Sequence, residues 1–322
     1  MPIQNIDDRL ARFGRMQAWI CHWQWSVPQK AQYKLTNHKH LEFVNFNRKL
    51  NLVDAPELAD SLRSILCGWD VQENNELSDR ADMTFTKARR GYDWSIRSDG
   101  LTATKLSGIP RNICDAVCDF HYEAYRWYRS AFRDQLCIHA AAVKFGNGIV
   151  LFPNTFAAGK SILSVVLASQ GYRLYADDVV ALDMENHEAV SLGILPRLRL
   201  PLPTKAISPL MSDFLQTCRC LESPTQLYVG LGDAHQARLG ERGTIAAIVV
   251  LERLSRYTPA KLAPVGAAEA LRTIITQNFN TAHDVTKIFS ILKEVTLNSK
   301  TYKLTYSDVE DAASSLTKAF AS

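Results

Sequence analysis

Residues 139–183 read HAAAVKFGNGIVLFPNTFAAGKSILSVVLASQGYRLYADDVVALD. Within them, the apolar run 149–152 has the length of a buried strand, and a loop over 153–161 ends in Gly159-Lys160-Ser161. The residues Ile162, Leu163, Val165, Val166 and Leu167 then read as a helix, which Gly171 stops as a C-cap glycine would. Residues 172–176 form a second short apolar strand that delivers Asp177 and Asp178 at its end, and 179–182 continues as β.

A strand, a loop and a helix in that order make an anion site. The first backbone N–H groups of a helix have no partner within it, and the helix dipole adds positive potential there. The pattern G-x-x-x-x-G-K-[ST] supplies such a phosphate cradle, with the lysine reaching the β and γ phosphates and the hydroxyl ligating Mg²⁺. Here Lys160 and Ser161 hold those two positions, and the whole loop (Asn154, Thr155, Phe156, Ala157, Ala158, Gly159, Lys160, Ser161) is expected to bind the nucleotide. Asn154 stands where the pattern has its first glycine, a substitution that suits a left-handed turn because Asn tolerates that backbone. Phe156 either narrows the cradle or lies outward on a substrate surface.

Two adjacent acids in an extended segment face opposite sides, so Asp177 and Asp178 are expected to do different work. One would hold Mg²⁺ and the other would accept a proton from an attacking hydroxyl. His139, taken to begin the alanine-rich strand ahead of the loop, is balanced between a structural and a catalytic role.

The order of these features resembles the bacterial HPr serine kinase/phosphorylase family, whose nucleotide fold is related to phosphoenolpyruvate carboxykinase. His139, Gly159-Lys160-Ser161 and Gly171-Tyr-Arg-Leu-Tyr-Ala-Asp-Asp178-Val-Val carry the resemblance. It implies an α/β P-loop kinase core that uses ATP, with GTP as an alternative, and Mg²⁺. Carried over, it implies Lys160 and Ser161 on the phosphates and metal, Asp177 as the base on a serine hydroxyl, Asp178 supporting the metal, and His139 near the transferred phosphate. Asn154 and Ala157 replace loop glycines and Phe156 replaces a small polar residue. The family's glycine-rich C-terminal signature for phosphorolysis is absent, so the expectation is kinase activity on an acceptor other than HPr.

Beyond the carboxylates, Arg197 and Arg199 alternate with apolar residues between Pro196 and Pro201. In an extended segment both fall on one face. Arginine suits bidentate contact with phosphate or carboxylate, so the pair is a candidate substrate contact, with simple surface placement as the alternative.

The 322 residues can bury one large core or two smaller ones. A net charge of +4, from 37 basic and 33 acidic residues, gives no ground for nucleic acid or a membrane surface as partner. No apolar run approaches the roughly 18 residues of a membrane span, and residues 1–12 lack the pattern of a signal peptide, so a cytoplasmic protein is expected. The odd count of seven cysteines suggests reduced thiols. Cys114, Cys118 and His121 share a helical face and Cys218 lies near Cys220, but zinc favours Cys-x-x-Cys pairs, so core packing is expected for the helical group.

Residues 1–134 read as a smaller α+β region and 135–322 as the catalytic domain. In the first, Ile6, Leu10 and Phe13 have helical spacing, 41–46 reads as β, and Pro56 starts a helix with Leu58, Leu62, Ile65 and Leu66 on its apolar side. Met83 with Phe85, and Tyr92 with Trp94 and Ile96, alternate as strands before an Asp99-Gly100 hairpin turn. Trp19, Trp23 and Trp25 read as buried aromatic packing. Pro110 opens a helix in which Ile113, Val117, Phe120, Ala124, Trp127 and Ala131 keep helical spacing. In the second region, 218–239 reads as an irregular loop over substrate, 245–251 as a strand, 266–277 as a helix, 295–304 as β, and a last helix starts at Ser307.

The leading expectation is an ATP- and Mg²⁺-dependent kinase acting on a serine of a peptide or small protein, such as a natural-product precursor peptide. A small-metabolite kinase of the same fold is the second reading, and a nucleotide-binding switch with a degenerate loop is the third. Because the resembled family assembles into oligomers, a homo-oligomer is expected.

Overall fold

Strands of the N-terminal half alternate buried with more exposed side chains, which is what one covered sheet face requires. The computed structural model describes residues 24–25, 37–98, 101–105, 112–146, 148–154, 158–202, 208–280 and 284–321. It divides into two compact units, Met1–Ala59 with Val71–Ala116, and Asp60–Asp70 with Val117–Ser322. The division falls at residues 116–117, ahead of the boundary expected at 134.

In the first unit β1 (Gln24–Trp25), β2 (His38–Phe43), β3 (Arg48–Val53), β4 (Val71–Asn74), β5 (Met83–Ala88), β6 (Gly91–Ser98) and β7 (Leu101–Lys105) form a seven-stranded sheet in the order β1-β7-β6-β5-β3-β2-β4. Leu41, Phe43, Leu50, Leu52, Met83, Phe85, Trp94 and Ile96 are its buried residues. The 41–46 strand ends at Phe43 and continues as a 3₁₀ turn, Val44–Phe46, which Asn47 closes in the left-handed conformation. Ser98 pairs with Leu101; the Asp99-Gly100 dipeptide, like Ile6, Leu10, Phe13, Trp19 and Trp23, lies outside the described residues. Helix α1 (Leu58–Ser64) comes after Pro56, and α2 (Ile113–Ala131) after Pro110.

The second unit holds β8 (Gln135–Ile138), β9 (Ala141–Phe145), β10 (Gly148–Phe152), α3 (Lys160–Ser169), β11 (Arg173–Ala176), β12 (Val180–Asp183), β13 (Ala189–Val190) and β14 (Arg197–Arg199). After these come α4 (Pro209–Thr217), β15 (Arg219–Ser223), β16 (Gln226–Val229), α5 (Gly232–His235), β17 (Arg242–Gly243), β18 (Ile245–Arg253) and β19 (Lys261–Pro264). The chain closes with α6 (Ala267–Ile275), α7 (Val285–Asn298), β20 (Lys300–Tyr306) and α8 (Val309–Phe320).

Its principal sheet is mixed, in the order β11-β9-β10-β18-β20-β19, with β10, β18 and β20 parallel. Period-2 geometry explains why residues 149–152 are apolar without alternation. Val150 and Phe152 enter one core with residues of α3 and α8, while Ile149 and Leu151 enter another with residues of α6 and α7. Burying one such Leu or Val stabilises by about 1.5–3 kcal/mol, and the two cores together fix this sheet between helical layers. The smaller sheets run β17-β13-β12-β8 and β14-β16-β15. The architecture is thus mixed α/β.

Two expectations are corrected. Residues 295–298 finish α7, because Ile288, Ile291, Leu292 and Val295 bury one helical face; the strand begins only at Lys300. The stretch 218–239 is ordered into β15, β16 and α5, with Ser223 and Gln226 closing a hairpin, and is therefore not an irregular lid.

Candidate functional site

The parallel strands β10, β18 and β20 end on one side of the sheet, where ligand crevices of α/β sheets form. There β10 leads into the loop, and the last loop residue, Gly159, adopts φ 87° immediately before α3. A β-carbon at Gly159 would sit 2.7 Å from the Tyr306 hydroxyl, so only glycine fits both the backbone and the space. Tyr306, at the end of β20, donates to the Ala158 carbonyl at 2.8 Å and ties the loop down. Thr155, Phe156 and Ala157 lie outside the described residues.

Asn154 has a role the sequence did not suggest. It is not in the left-handed region. Its buried side chain instead acts as a peptide unit toward β18: Nδ2 donates to the Leu251 carbonyl at 2.7 Å, and Oδ1 accepts from the Leu251 N–H at 2.7 Å. The Asn154 carbonyl in turn accepts from Lys160 Nζ at 2.7 Å. Burial lowers the Lys160 pKa to about 8, against the opposing pull of Asp178 and Asp177.

Asp177 and Asp178 lie in a bend after β11, not in an extended segment, so both line one cleft instead of facing opposite sides, yet their partners differ. Asp177, 5% exposed, accepts from the backbone N–H of Arg197 at 3.0 Å, and it shares the cleft with the Ser161 hydroxyl. Burial, and then the neighbouring charge of Asp178, push its carboxyl up to about 6. Asp178 Oδ1 lies 2.9 Å from His139 Nε2. Burial acts to raise this second carboxyl, but the hydrogen bond and charge of His139, with Arg197 nearby, hold it below the usual carboxylate range.

His139 does not begin a strand. It lies between β8 and β9, its N–H bonded to the Gln277 carbonyl at 2.9 Å and its Nδ1 3.0 Å from Gln277 Oε1. Gln277 thus orients the imidazole against Asp178.

Lys160, Ser161, both aspartates, His139, Arg197 and Arg199 line one cleft of about 260 Å³. His121 and Arg253 line it too, and sequence reasoning missed them in this role. Helical spacing assigns His121 to packing with Cys114 and Cys118; it is buried, but between the hydroxyls of Tyr125 at 2.6 Å and Tyr228 at 3.0 Å, at the cleft wall. Burial, helped by the Arg197 charge, lowers its pKa to about 3, so it is neutral near pH 7. Arg253 ends β18 beside Gly159, a position that only strand pairing reveals. No group of three or more His, Cys, Asp or Glu that could hold a metal occurs among the described residues. No helix among them is long and apolar enough to cross a membrane.

Ser161 and the aspartates present hard oxygen donors. That set fits Mg²⁺, which is commonly held by one or two carboxylates together with substrate phosphates, better than it fits a metal needing a full protein cage.

No family model and no curated protein matches the chain. Among solved structures it is similar to the Hpr(Ser) kinase/phosphatase from Coxiella burnetii, at 14% identity over 53% of this chain and 78% of that one, with a TM-score of 0.25. A likeness of that order carries no weight for fold or function.

Proposed function

We propose that the second unit is a P-loop phosphotransferase that moves the γ-phosphate of ATP, or of GTP, to an acceptor hydroxyl. The observation that carries this reading is that Lys160 and Ser161, which open the helix after the loop, line one cleft with Asp177 and with the Asp178–His139 pair. A phosphate cradle, a base and cationic side chains are the parts phosphoryl transfer needs.

Lys160 exchanges its contact with the Asn154 carbonyl for the β and γ phosphates, while the N–H groups that open α3 face the same anion. Arg253, on the Gly159 side, adds positive charge. Asp177 takes the proton of the acceptor hydroxyl; the acceptor oxygen bonds to the γ-phosphorus as the bond to the β–γ bridging oxygen breaks, and the nucleoside diphosphate leaves. A carboxyl raised toward neutrality is a better base than an ordinary aspartate while still ionised at pH 7. Asp178, held by His139, stays charged beside it. Mg²⁺ on Ser161 and a carboxylate would neutralise phosphate charge.

The acceptor class we favour is a serine of a peptide or small protein, with a small metabolite as the alternative. The test is mass spectrometry of pooled serine peptides and small hydroxy compounds after incubation with Mg-ATP. A phosphate added by the wild type and absent with Asp177→Asn supports transfer. Nucleotide bound but never consumed would favour a nucleotide-binding switch.

A further inference from the structure

The guanidinium of Arg197 has no chemical partner equal to its charge. Its main-chain N–H is fixed to Asp177 at 3.0 Å, but among the described residues its side chain is in no ion pair; it lies 5.7 Å over the Tyr122 ring, with the Cys118 thiol nearby. A guanidinium largely withdrawn from water is best satisfied by an anion in direct contact. Asp177 and Asp178 feel its charge, but among the described residues neither is in ion-pair contact with it. His121 beside it is committed to the hydroxyls of Tyr125 and Tyr228, and the Cys118 thiol also donates to Gln226 Oε1 at 2.9 Å.

The position is rigid as well as charged. Arg197 pairs with Tyr228 across β14 and β16, Leu198 is buried behind it, and Arg199 continues the same face of the strand. Lys160, Arg253, Arg197 and Arg199 thus line one cleft together with Asp177 and Asp178, and the Arg199 charge reaches Lys160. Nucleotide phosphates belong with the loop and the start of α3. Arg197, tied by its own N–H to Asp177, is then the cation beside the proposed base, where an acceptor hydroxyl must come.

We infer that Arg197, with Arg199, forms a carboxylate-binding subsite for the phosphate acceptor, so that the acceptor is an acidic molecule carrying its anion close to the reacting hydroxyl. The inference rests on the phosphotransferase reading. Planar guanidinium groups suit carboxylates bidentately, and the backbone link from Arg197 to Asp177 sets a fixed spacing between the bound anion and the base. Acidic serine peptides and small hydroxycarboxylates both present this chemistry.

The experiment is calorimetric titration of the full chain in two steps. Mg-ADP is titrated first. A pool of serine peptides rich in Asp and Glu, and separately a set of small hydroxycarboxylates, are then titrated into the Mg-ADP complex beside their neutral amide counterparts. The expected result is at least tenfold tighter binding of one acidic set than of its amide twin. Arg197→Gln should reduce that preference to within twofold while changing Mg-ADP affinity less than threefold, and Arg197→Lys should keep part of it. Which set binds separates a peptide acceptor from a small one. Equal or absent binding of acidic and neutral probes beside normal Mg-ADP binding would overturn the subsite, as would an acidic preference that survives in Arg197→Gln. Failure of Mg-ADP itself to bind would remove the phosphotransferase reading instead.

Discussion

Asn154 holds Leu251 through both of its backbone groups, with the amide nitrogen on the carbonyl and the amide oxygen on the N–H, each at 2.7 Å. A side chain has replaced the next peptide unit of a strand pair, and this fastens the loop after β10 to the neighbouring β18. A glycine at 154 would leave both groups of Leu251 buried and unpaired. Asn154→Ala should therefore destabilise the protein by about 2 kcal/mol or more, since an orphaned buried group costs roughly 1–3 kcal/mol. Chemical denaturation measures this directly, and an unchanged midpoint would refute the clamp.

Gly159 and Tyr306 give a second prediction. Gly159→Ala sets a β-carbon against the Tyr306 hydroxyl and strains a backbone at φ 87°; the backbone alone costs about 1–3 kcal/mol. Tyr306→Phe removes the bond to the Ala158 carbonyl, about 1 kcal/mol. In the double variant the clash is gone, so the two effects should sum to more than the measured total. Strict additivity in a denaturation cycle would contradict this packing.

The raised carboxyl of Asp177 predicts opposite effects on stability and rate. Its folded pKa, about 6, lies above the ordinary value of 3.8. The folded state then binds more protons than the unfolded state between these values, and this group's contribution to stability falls as pH rises through them. Asp177→Asn should consequently raise the melting temperature at pH 7, with the gain vanishing near pH 4. The same substitution should reduce phosphate transfer by about two orders of magnitude or more while leaving nucleotide binding intact. In the wild type the rate should rise with pH through about 6. A flat rate profile between pH 5 and 7 would exclude Asp177 as the base.

Asp178 responds to pH in the reverse sense. Its depressed pKa contributes stability that is present above the ordinary aspartate range and lost only as pH falls through the folded value. His139→Phe removes the partner 2.9 Å away. That variant should lose stability at pH 7 and should keep more of its remaining stability on acidification than the wild type does. Parallel melting curves against pH for the two proteins would contradict the pairing.

The range of each interaction decides how much of the fold and site is legible in the sequence. β10, α3 and β11 depend on local periodicity and on neighbours in the chain, and these are readable; strand alternation does not extend to Asp177 and Asp178, which a bend brings into one cleft. The role of Asn154 depends on Leu251, nearly a hundred positions away, and only strand pairing brings them together. For His121, helical spacing locates a face but cannot say that Tyr125, Tyr228 and Arg197 meet it. The strand expected over 295–304 fails for a similar reason. Val295 and Thr296 favour strands by their branching, but burial of the α7 face outweighs that small propensity.

The most direct test of the phosphate-loop reading is a thermal-shift titration with Mg-ATP on the wild type and Lys160→Ala. Ligand at about 100 times its dissociation constant stabilises by about 2.7 kcal/mol, a shift of several degrees. The predicted result is a saturable rise in the wild type that Lys160→Ala abolishes. No rise with either ATP or GTP, or an equal rise in the variant, would contradict it.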